Sequence, residues 1–541
     1  MRILFALSSP EYLRYYDTTM AELVRRGHDV AVGVNWLKEK KHARLDALMP
    51  DPAVRVVGHL PSREDVWVRF ARAVRGAFDF VRYLHPRLAE AGALRVRALR
   101  KASPRVARLL NVFQVLQPPA LERVYAVLRA AERAVPISAR LVTFLRDERP
   151  DLVVVSPLVD LMSVQVDVVR ASHALGIPVA LPVASWDNLT NKGHLRVLPD
   201  AVMVWNDIQK EEAVALHGVP PERITTTGAQ LFDRWFERTP SQTRESFCAM
   251  VGLPTDRPII LYTGSSIFIA RSEYEVPYVE RWIEAVRTSG HPALEHASIL
   301  VRPHPFNGAA WETADVSRWR DVAIWPRGRY TPAAESSRDT FFDSLFYSEA
   351  IVGINTSAMI EAAILERPVL SLLTPDFAGT QAGTVHFRYL LPENGGFLRV
   401  AGSFAEHVDQ LASVMRAPQE TAAQLRGFVD TFIRPHGRAR ASTPLLADAL
   451  ERAATLQVPV EQESARTRVL RALLLPCVVV ASWFLRPVDA EGRLGKAWWE
   501  GSRRERLVKQ LVRRPLREQY GRVAKLVRKL SPSPPGSDGP A

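Results

Sequence analysis

The feature that most constrains this chain is a pair of successive series of short, almost wholly apolar runs, each spaced by helix-length stretches. The first series is Ile3 to Leu7, Val30 to Val34, LVVVS (152–156), PVALPVA (178–184), AVMVW (201–205) and ITTTG (224–228). The second is IILYT (259–263), SILVR (298–302), VAIWP (322–326), AIVGI (350–354) and PVLSL (368–372). Continuous apolar runs of this length read as strands covered on both faces. Between them lie helical stretches such as 161–176 and 206–218, closed by Gly176 and Gly218. Strand and helix in alternation build parallel sheets with right-handed crossovers, so the expectation is an α/β chain with two doubly wound domains facing a cleft. In such sheets ligands bind outside the carboxyl ends of the strands, and chemistry is to be sought in those loops.

At 541 residues the chain has room for about three compact units. The pattern places a first domain at 1–236, interrupted by an Arg-rich helical insertion at 61–140, and a polar, Pro-containing linker at 237–257. A second domain follows at 258–440, then a closing helix at 441–465, a basic segment at 466–530 and a disordered tail at 531–541. Charge follows these divisions. The insertion carries 16 Lys/Arg against 6 Asp/Glu, a balance of +10, and residues 466–541 carry 17 against 6, a balance of +11. With a net charge of +13 the remainder is mildly acidic at −8, which argues against a nucleic-acid binder and for two basic attachment surfaces on an enzyme-like body. Solvated helix faces are the plainer reading of the same charges.

The uncharged stretch Ala472 to Leu485 contains Pro476 and is too short for a spanning helix, which needs about 20 apolar residues. With Trp483 near its end, and followed by Trp498, Trp499 and 11 Lys/Arg against 2 Glu at 501–530, it suits a segment lying in a membrane interface. The alternative is a buried apolar hairpin with a solvated helix. The opening apolar run lacks a cleavage-site pattern and reads as a strand, not a signal peptide. Two distant cysteines, Cys248 and Cys477, provide no disulfide framework and point to a reducing compartment.

Three strand ends in the second series carry groups suited to phosphate. Arg302-Pro303-His304-Pro305 offers a forked cation and an imidazole held by two prolines. Asn355, Thr356 and Ser357 can cap a helix whose first turn exposes backbone N–H groups, with Glu361 one turn on. Gly264, Ser265 and Ser266 follow the first strand of the series, allowing close backbone approach and hydroxyl donation. Each alone is explained by a turn or a cap; three in one domain favour a nucleotide site. In the first domain Glu11, Asp17, His28 and Asp187 follow strands or helices where a base would be needed. No Asp-X-Asp, H-E-x-x-H, paired CxxC or G-x-x-x-x-G-K-[ST] occurs, so a metal-held nucleotide is not expected.

The segment Leu23 to Val30 after the first strand, with the His304 loop, the run Asn355 to Glu361 and then Glu366-Arg367-Pro368-Val369, resembles GT-B glycosyltransferases. The His-Pro pair is most similar to bacterial capsule and teichoic-acid transferases, including CDP-glycerol glycerophosphotransferases. The resemblance covers about 1–35 and 150–440 and implies two Rossmann-like domains, the first binding the acceptor and the second a nucleotide-activated donor. It also implies a leaving diphosphate held by protein cations, with no cofactor or metal. Arg302, His304, Asn355, Thr356 and Ser357 would then hold the donor with Ser265 and Ser266 beside them. Glu361 would hold the ribose, and Glu11 or Asp187 would be the catalytic base. The donor would be a nucleotide sugar or CDP-glycerol, and the acceptor a lipid-linked or polysaccharide species at the cytoplasmic face of an anionic membrane. Two rivals share the pattern, a nucleotide-sugar 2-epimerase and a non-catalytic scaffold of the same fold.

Overall fold

The computed structural model describes residues 1–35, 51–102, 112–115, 118–327 and 335–484. Seven parallel strands form the first sheet: β1 (Arg2–Leu7), β2 (Asp29–Val34), β3 (Arg55–His59), β4 (Leu152–Ser156), β5 (Val179–Pro182), β6 (Ala201–Val204) and β7 (Ile224–Thr226). Their order is β3-β2-β1-β4-β5-β6-β7, with Ile3 in register with Val30 on one side and Leu152 on the other. The second sheet holds β8 (Ile259–Thr263), β9 (Ser298–Arg302), β10 (Val322–Ile324), β11 (Ser348–Gly353), β12 (Val369–Leu372) and β13 (Arg399–Ala401), also parallel, in the order β10-β9-β8-β11-β12-β13. Both orders reverse direction once, between β1 and β4 and between β8 and β11. At such switch points the loops diverge and leave a crevice.

All eleven apolar runs contribute strands. The two strands outside those runs, β3 and β13, lie at sheet edges, where β3 is only partly buried and β13 is three residues long. An edge strand is covered less, so its sequence lacks the continuous apolar signature. Each central strand is buried on both faces: Ile3, Phe5 and Leu7 enter one core and Leu4 and Ala6 the other.

The helices used below are α1 (Asp17–Arg25), α2 (Val68–Arg82), α3 (Gly92–Lys101), α4 (Pro118–Ala134), α5 (Ala139–Glu148), α6 (Gln165–His173), α7 (Asn188–Asn191), α8 (Asp207–His217), α9 (Ser272–Arg287), α10 (Glu335–Phe346), α11 (Ala358–Ile364), α12 (Ser442–Ala454) and α13 (Ala465–Phe484). Between β3 and β4 the chain runs through α2 to α5. Phe78, Phe80, Val81, Leu94, Leu121 and Tyr125 give α2, α3 and α4 a small core of their own.

The chain passes to the second sheet after β7 and returns before α12, which packs Leu446 and Leu450 against Ile3, Phe5 and Leu7. Asp233 ties the outgoing and returning segments together. Its carboxylate pairs with Arg434 at 2.9 Å and accepts the backbone N–H of Ser442 and Thr443. Met1–Leu473 forms one compact unit; the second, from Leu474, is described only as the continuation of α13 to Phe484. Among the described residues no helix is long and apolar enough to cross a membrane. Trp498, Trp499, the basic stretch 501–530 and the tail 531–541 lie outside the described residues, as do 103–111 of the insertion.

Candidate functional site

The loops after β8 and β9 are packed directly on each other. Gly264 N–H donates to the Arg302 carbonyl at 2.8 Å, and a Cβ at Gly264 would stand 2.7 Å from the His304 nitrogen. Only glycine fits there. The contact sets His304 at the mouth of the switch point, half-buried. Its Nδ1 accepts the Phe306 N–H at 3.2 Å, which leaves the ring proton on Nε2. Burial, with the charge of Arg14 adding to it, holds the imidazole down at about 4, so near neutrality it is an uncharged Nε2–H donor.

Glu361, in the first turn of α11, faces the same space. Among the described residues no hydrogen bond or ion pair reaches its carboxylate, and burial pushes it up to about 8 against the pull of Arg14. Arg14 comes from the other domain, on the 3-10 turn Pro10–Tyr15 after β1. Its guanidinium lies over the Tyr15 ring at 4.7 Å and donates to the Tyr15 hydroxyl at 2.7 Å. It is exposed and forms no ion pair among the described residues. An exposed cation held by Tyr15, a neutral N–H donor and an unpaired carboxyl group thus converge from the two switch points.

Several candidates sit elsewhere. Arg302 is 3% exposed, and its guanidinium is bonded to Thr340 and Ser344 of α10 and stacked near Trp325 and Phe341. It lies behind the loop, on the face of β9 that also carries Leu300, with its guanidinium turned toward α10. Asn355 is also buried; its Nδ2 donates to the Thr380 carbonyl and to Thr384, anchoring the 374–384 loop. Ser265 is fully buried and contributes its backbone, whereas Ser266 is half-buried. Thr356 accepts the Ala358 N–H at 3.4 Å, and Ser357 is exposed at the start of α11 without a capping bond from its side chain. Since α11 has only seven residues, its dipole adds little.

On the first domain Glu11 is exposed on the 3-10 turn. Asp187 stands before α7 and accepts from Asn191 at 2.8 Å and Asn188 at 3.3 Å. Burial raises its pKa, but His386, Lys192 and the hydrogen bonds from Asn191 and Ser185 outweigh that and hold the carboxyl below its ordinary value. His386, from the second domain, is buried with its ring edge-on to Trp186 at 4.7 Å and is held down at about 4 by burial. Asp17 and His28 have other work. Asp17 pairs with Arg234 and with Arg338 of α10, bridging the domains, and His28 is bonded to Glu451 of α12.

Sequence reasoning missed Arg14, Tyr12, Asp160 and Lys192. The last three form one cluster, with Lys192 Nζ 2.6 Å from the Tyr12 hydroxyl and 2.7 Å from Asp160. They belong to the loops after β1, β4 and β5, whose convergence only the strand order reveals. Lys192 lies five residues after Asp187, and Arg14 three after Glu11, so proximity to a named candidate was the available signal. Among the described residues no group of His, Cys, Asp and Glu side chains converges to hold a metal ion.

No family model matches the chain, and no curated protein matches it. Among solved structures, UDP-GlcNAc 2-epimerase from Neisseria meningitidis bound to UDP-GlcNAc is similar with a TM-score of 0.50 at 12% identity, over 84% of this chain and all of that one. A glycosyltransferase from Rickettsia africae gives 0.45 at 9% identity, over 84% and 98%. The wall teichoic acid polymerase TagF gives 0.33 at 16% identity, over 47% and 58%. The first of these, with the two switch-point sheets and the returning helix, establishes the architecture: the chain has the two-domain GT-B fold.

Proposed function

We propose that the chain is a glycosyltransferase that moves a glycosyl or glycerophosphate group from a nucleotide-activated donor to a lipid-linked or polysaccharide acceptor. The observation that carries this reading is the convergence of Arg14, His304 and Glu361 at the facing switch points. The ligand class comes from the Neisseria epimerase, which has been captured with UDP-GlcNAc in the same fold. A diphosphate between the domains would receive the Arg14 guanidinium from one side and the His304 Nε2–H and Ser266 hydroxyl from the other. Such fixed donors stabilise charge as it develops on a leaving phosphate. Glu361 would meet the ribose hydroxyls.

In the transfer, the acceptor oxygen forms a bond to the donor carbon (or phosphorus). The bond from that atom to the bridging phosphate oxygen breaks, and its electron pair leaves on the nucleotide. The acceptor's proton goes to a carboxylate of the first domain. Asp187 is held ionised and so is ready to accept it; Glu11 is the alternative. No metal step is invoked, and activity should survive chelation. The acceptor would lie at the cytoplasmic face of the membrane, with the enzyme docked on anionic lipid through its basic segments.

The test is a thermal-shift screen against UDP, GDP, CMP, CDP and their common conjugates without added metal. A ligand bound only by the folded state raises the melting temperature. One nucleotide should shift it, and Arg14→Ala and His304→Ala should each remove most of that shift while Arg302→Lys keeps the binding. No shift with any of them overturns the reading. Because the Neisseria neighbour is an epimerase, epimerisation is the second reading. Conversion of the nucleotide sugar without any acceptor would establish it.

A further inference from the structure

Behind the His304 loop lies a fully enclosed polar pair that the proposed chemistry does not use. Asn307 is 4% exposed, and both hydrogens of its amide and one acceptor position of its oxygen are taken. The Nδ2 group donates to the Ser265 carbonyl at 2.9 Å and the Ala270 carbonyl at 2.7 Å, while Oδ1 accepts the Ser272 N–H at 3.0 Å. Glu275, in the first turn of α9, is 0% exposed. Its Oε1 accepts the Ser265 N–H at 2.8 Å and the Tyr262 hydroxyl at 3.2 Å, and its Oε2 lies 3.5 Å from Asn307 Nδ2. One side chain from the loop after β9 and one from α9 therefore hold the loop after β8 by both the N–H and the carbonyl of Ser265.

We infer that Asn307 and Glu275 are positioning residues that lock the loops 264–270 and 303–307 into a single ligand-facing unit. The inference rests on the proposed nucleotide site only for its consequence on binding; the lock is a property of the loops themselves. Amide chemistry makes Asn307 specific. A side chain of this length must give two hydrogens to carbonyls and accept one, which neither Asp nor Leu can do. A buried polar group stripped of its partner is costly, so losing either residue leaves loop carbonyls or N–H groups unsatisfied directly beside His304 and Ser266. Burial pushes the Glu275 carboxyl up to about 7, and the groups facing it are Tyr262 on β8, Ser265, Asn307, Trp311 and, along α9, Tyr278. No charged side chain is among them, so the bonds from Ser265, Tyr262 and Asn307 are its compensation for burial.

The experiment is amide hydrogen exchange and UDP titration on the full chain as wild type, Asn307→Asp, Asn307→Leu and Glu275→Gln. Asn307→Leu should lose protection at Ser272 by tenfold or more, and Asn307→Asp should retain it there because Oδ1 remains. Both should loosen residues 264–270. Glu275→Gln should keep the fold and the Ser265 contact but flatten the pH dependence of the Ser265 protection factor, the exchange rate divided into its intrinsic value, between pH 6 and 8. If UDP binds the wild type, both Asn307 variants should weaken it at least tenfold. Unchanged exchange at Ser265 and Ser272 in both Asn307 variants overturns the lock. Failure of the wild type to bind UDP or any nucleotide of the screen overturns the proposed function and leaves the lock to be judged by exchange alone.

Discussion

Two arginines separate what sequence shows from what it hides. Arg302 stands in a conspicuous motif, yet it is buried against α10; Arg14, in no motif, is the exposed cation opposite His304 and Glu361. A motif reports that a loop is built with care but not which way each side chain points, and pairing residue 14 with residue 361 needs the tertiary fold. Glu361 carries a prediction of sign. Its carboxyl is held up at about 8, so it is mostly neutral at pH 7 and ionises as pH rises through that value. A bound diphosphate adds negative charge beside it and raises its pKa further, so binding favours the protonated form. Nucleotide affinity should therefore be flat from pH 6 to 7.5 and fall above 8, by up to tenfold per pH unit. Glu361→Gln should remove the fall. Calorimetry across this range in a common ionic strength checks it, and an affinity that climbs above pH 8 would contradict the assignment.

At the scale of elements, the strands were legible because burial on both faces leaves an unmistakable apolar run, while the role of the insertion was not. Its arginines suggested an attachment surface, but several are internal. Arg75 of α2 is bidentate between Glu132 of α4 and Asp167 of α6, at 2.8 and 3.0 Å, and Arg63 adds a second contact to Asp167 at 2.9 Å. Arg82 donates to the carbonyls of Leu189, Lys192 and Gly193, Tyr83 donates to Lys192, and Asp79 pairs with Arg196. Gly193 passes so close that a Cβ there would clash with the Asp79 carboxylate. Helix α2 is thus the support under the loop that presents Asp187 and Lys192. Composition counts charges without telling a buried fork from a solvated one. Arg75→Ala would leave the Glu132 carboxylate buried and unpaired, and breaking such a pair costs about 3–5 kcal/mol. Urea unfolding should show a loss of that order, and a loss below about 1 kcal/mol would mean the network is solvated. Arg97 extends the same support across the domains: it donates to Asn191 and lies 4.7 Å from the Phe268 ring in the second domain.

For the whole molecule, the two-domain architecture followed from two repeats of one pattern, but the residues that span the domains, Asp17 with Arg338 and Glu212 with Tyr389, carried no local signal. Charge distribution belongs to this scale too. The exposed Arg87, Arg100, Lys101, Arg123, Arg129 and Arg133 remain on the insertion once its internal arginines are subtracted. Helix α13 leaves Val469 and Leu473, one turn apart, 60% and 71% exposed beside Arg466 and Arg468, which are also exposed. An apolar stripe flanked by cations is suited to the boundary between headgroups and acyl chains. Each cation near an anionic surface contributes about 1 kcal/mol, attenuated beyond a Debye length of about 10 Å at 0.1 M salt. The proposed docking therefore has a signature that separates it from unspecific adhesion. In flotation assays the full chain should bind phosphatidylglycerol vesicles and not phosphatidylcholine vesicles, and most of the binding should vanish between 0.1 and 0.5 M salt. Val469→Ser with Leu473→Ser, which leaves the charge unchanged, should reduce binding at low salt, where charge alone would hold the surface. A chain ending at residue 460 should bind more weakly by at least tenfold. Equal binding by that shorter chain would place the contact on the insertion alone, and equal binding to both lipids would remove the anionic surface from the proposal.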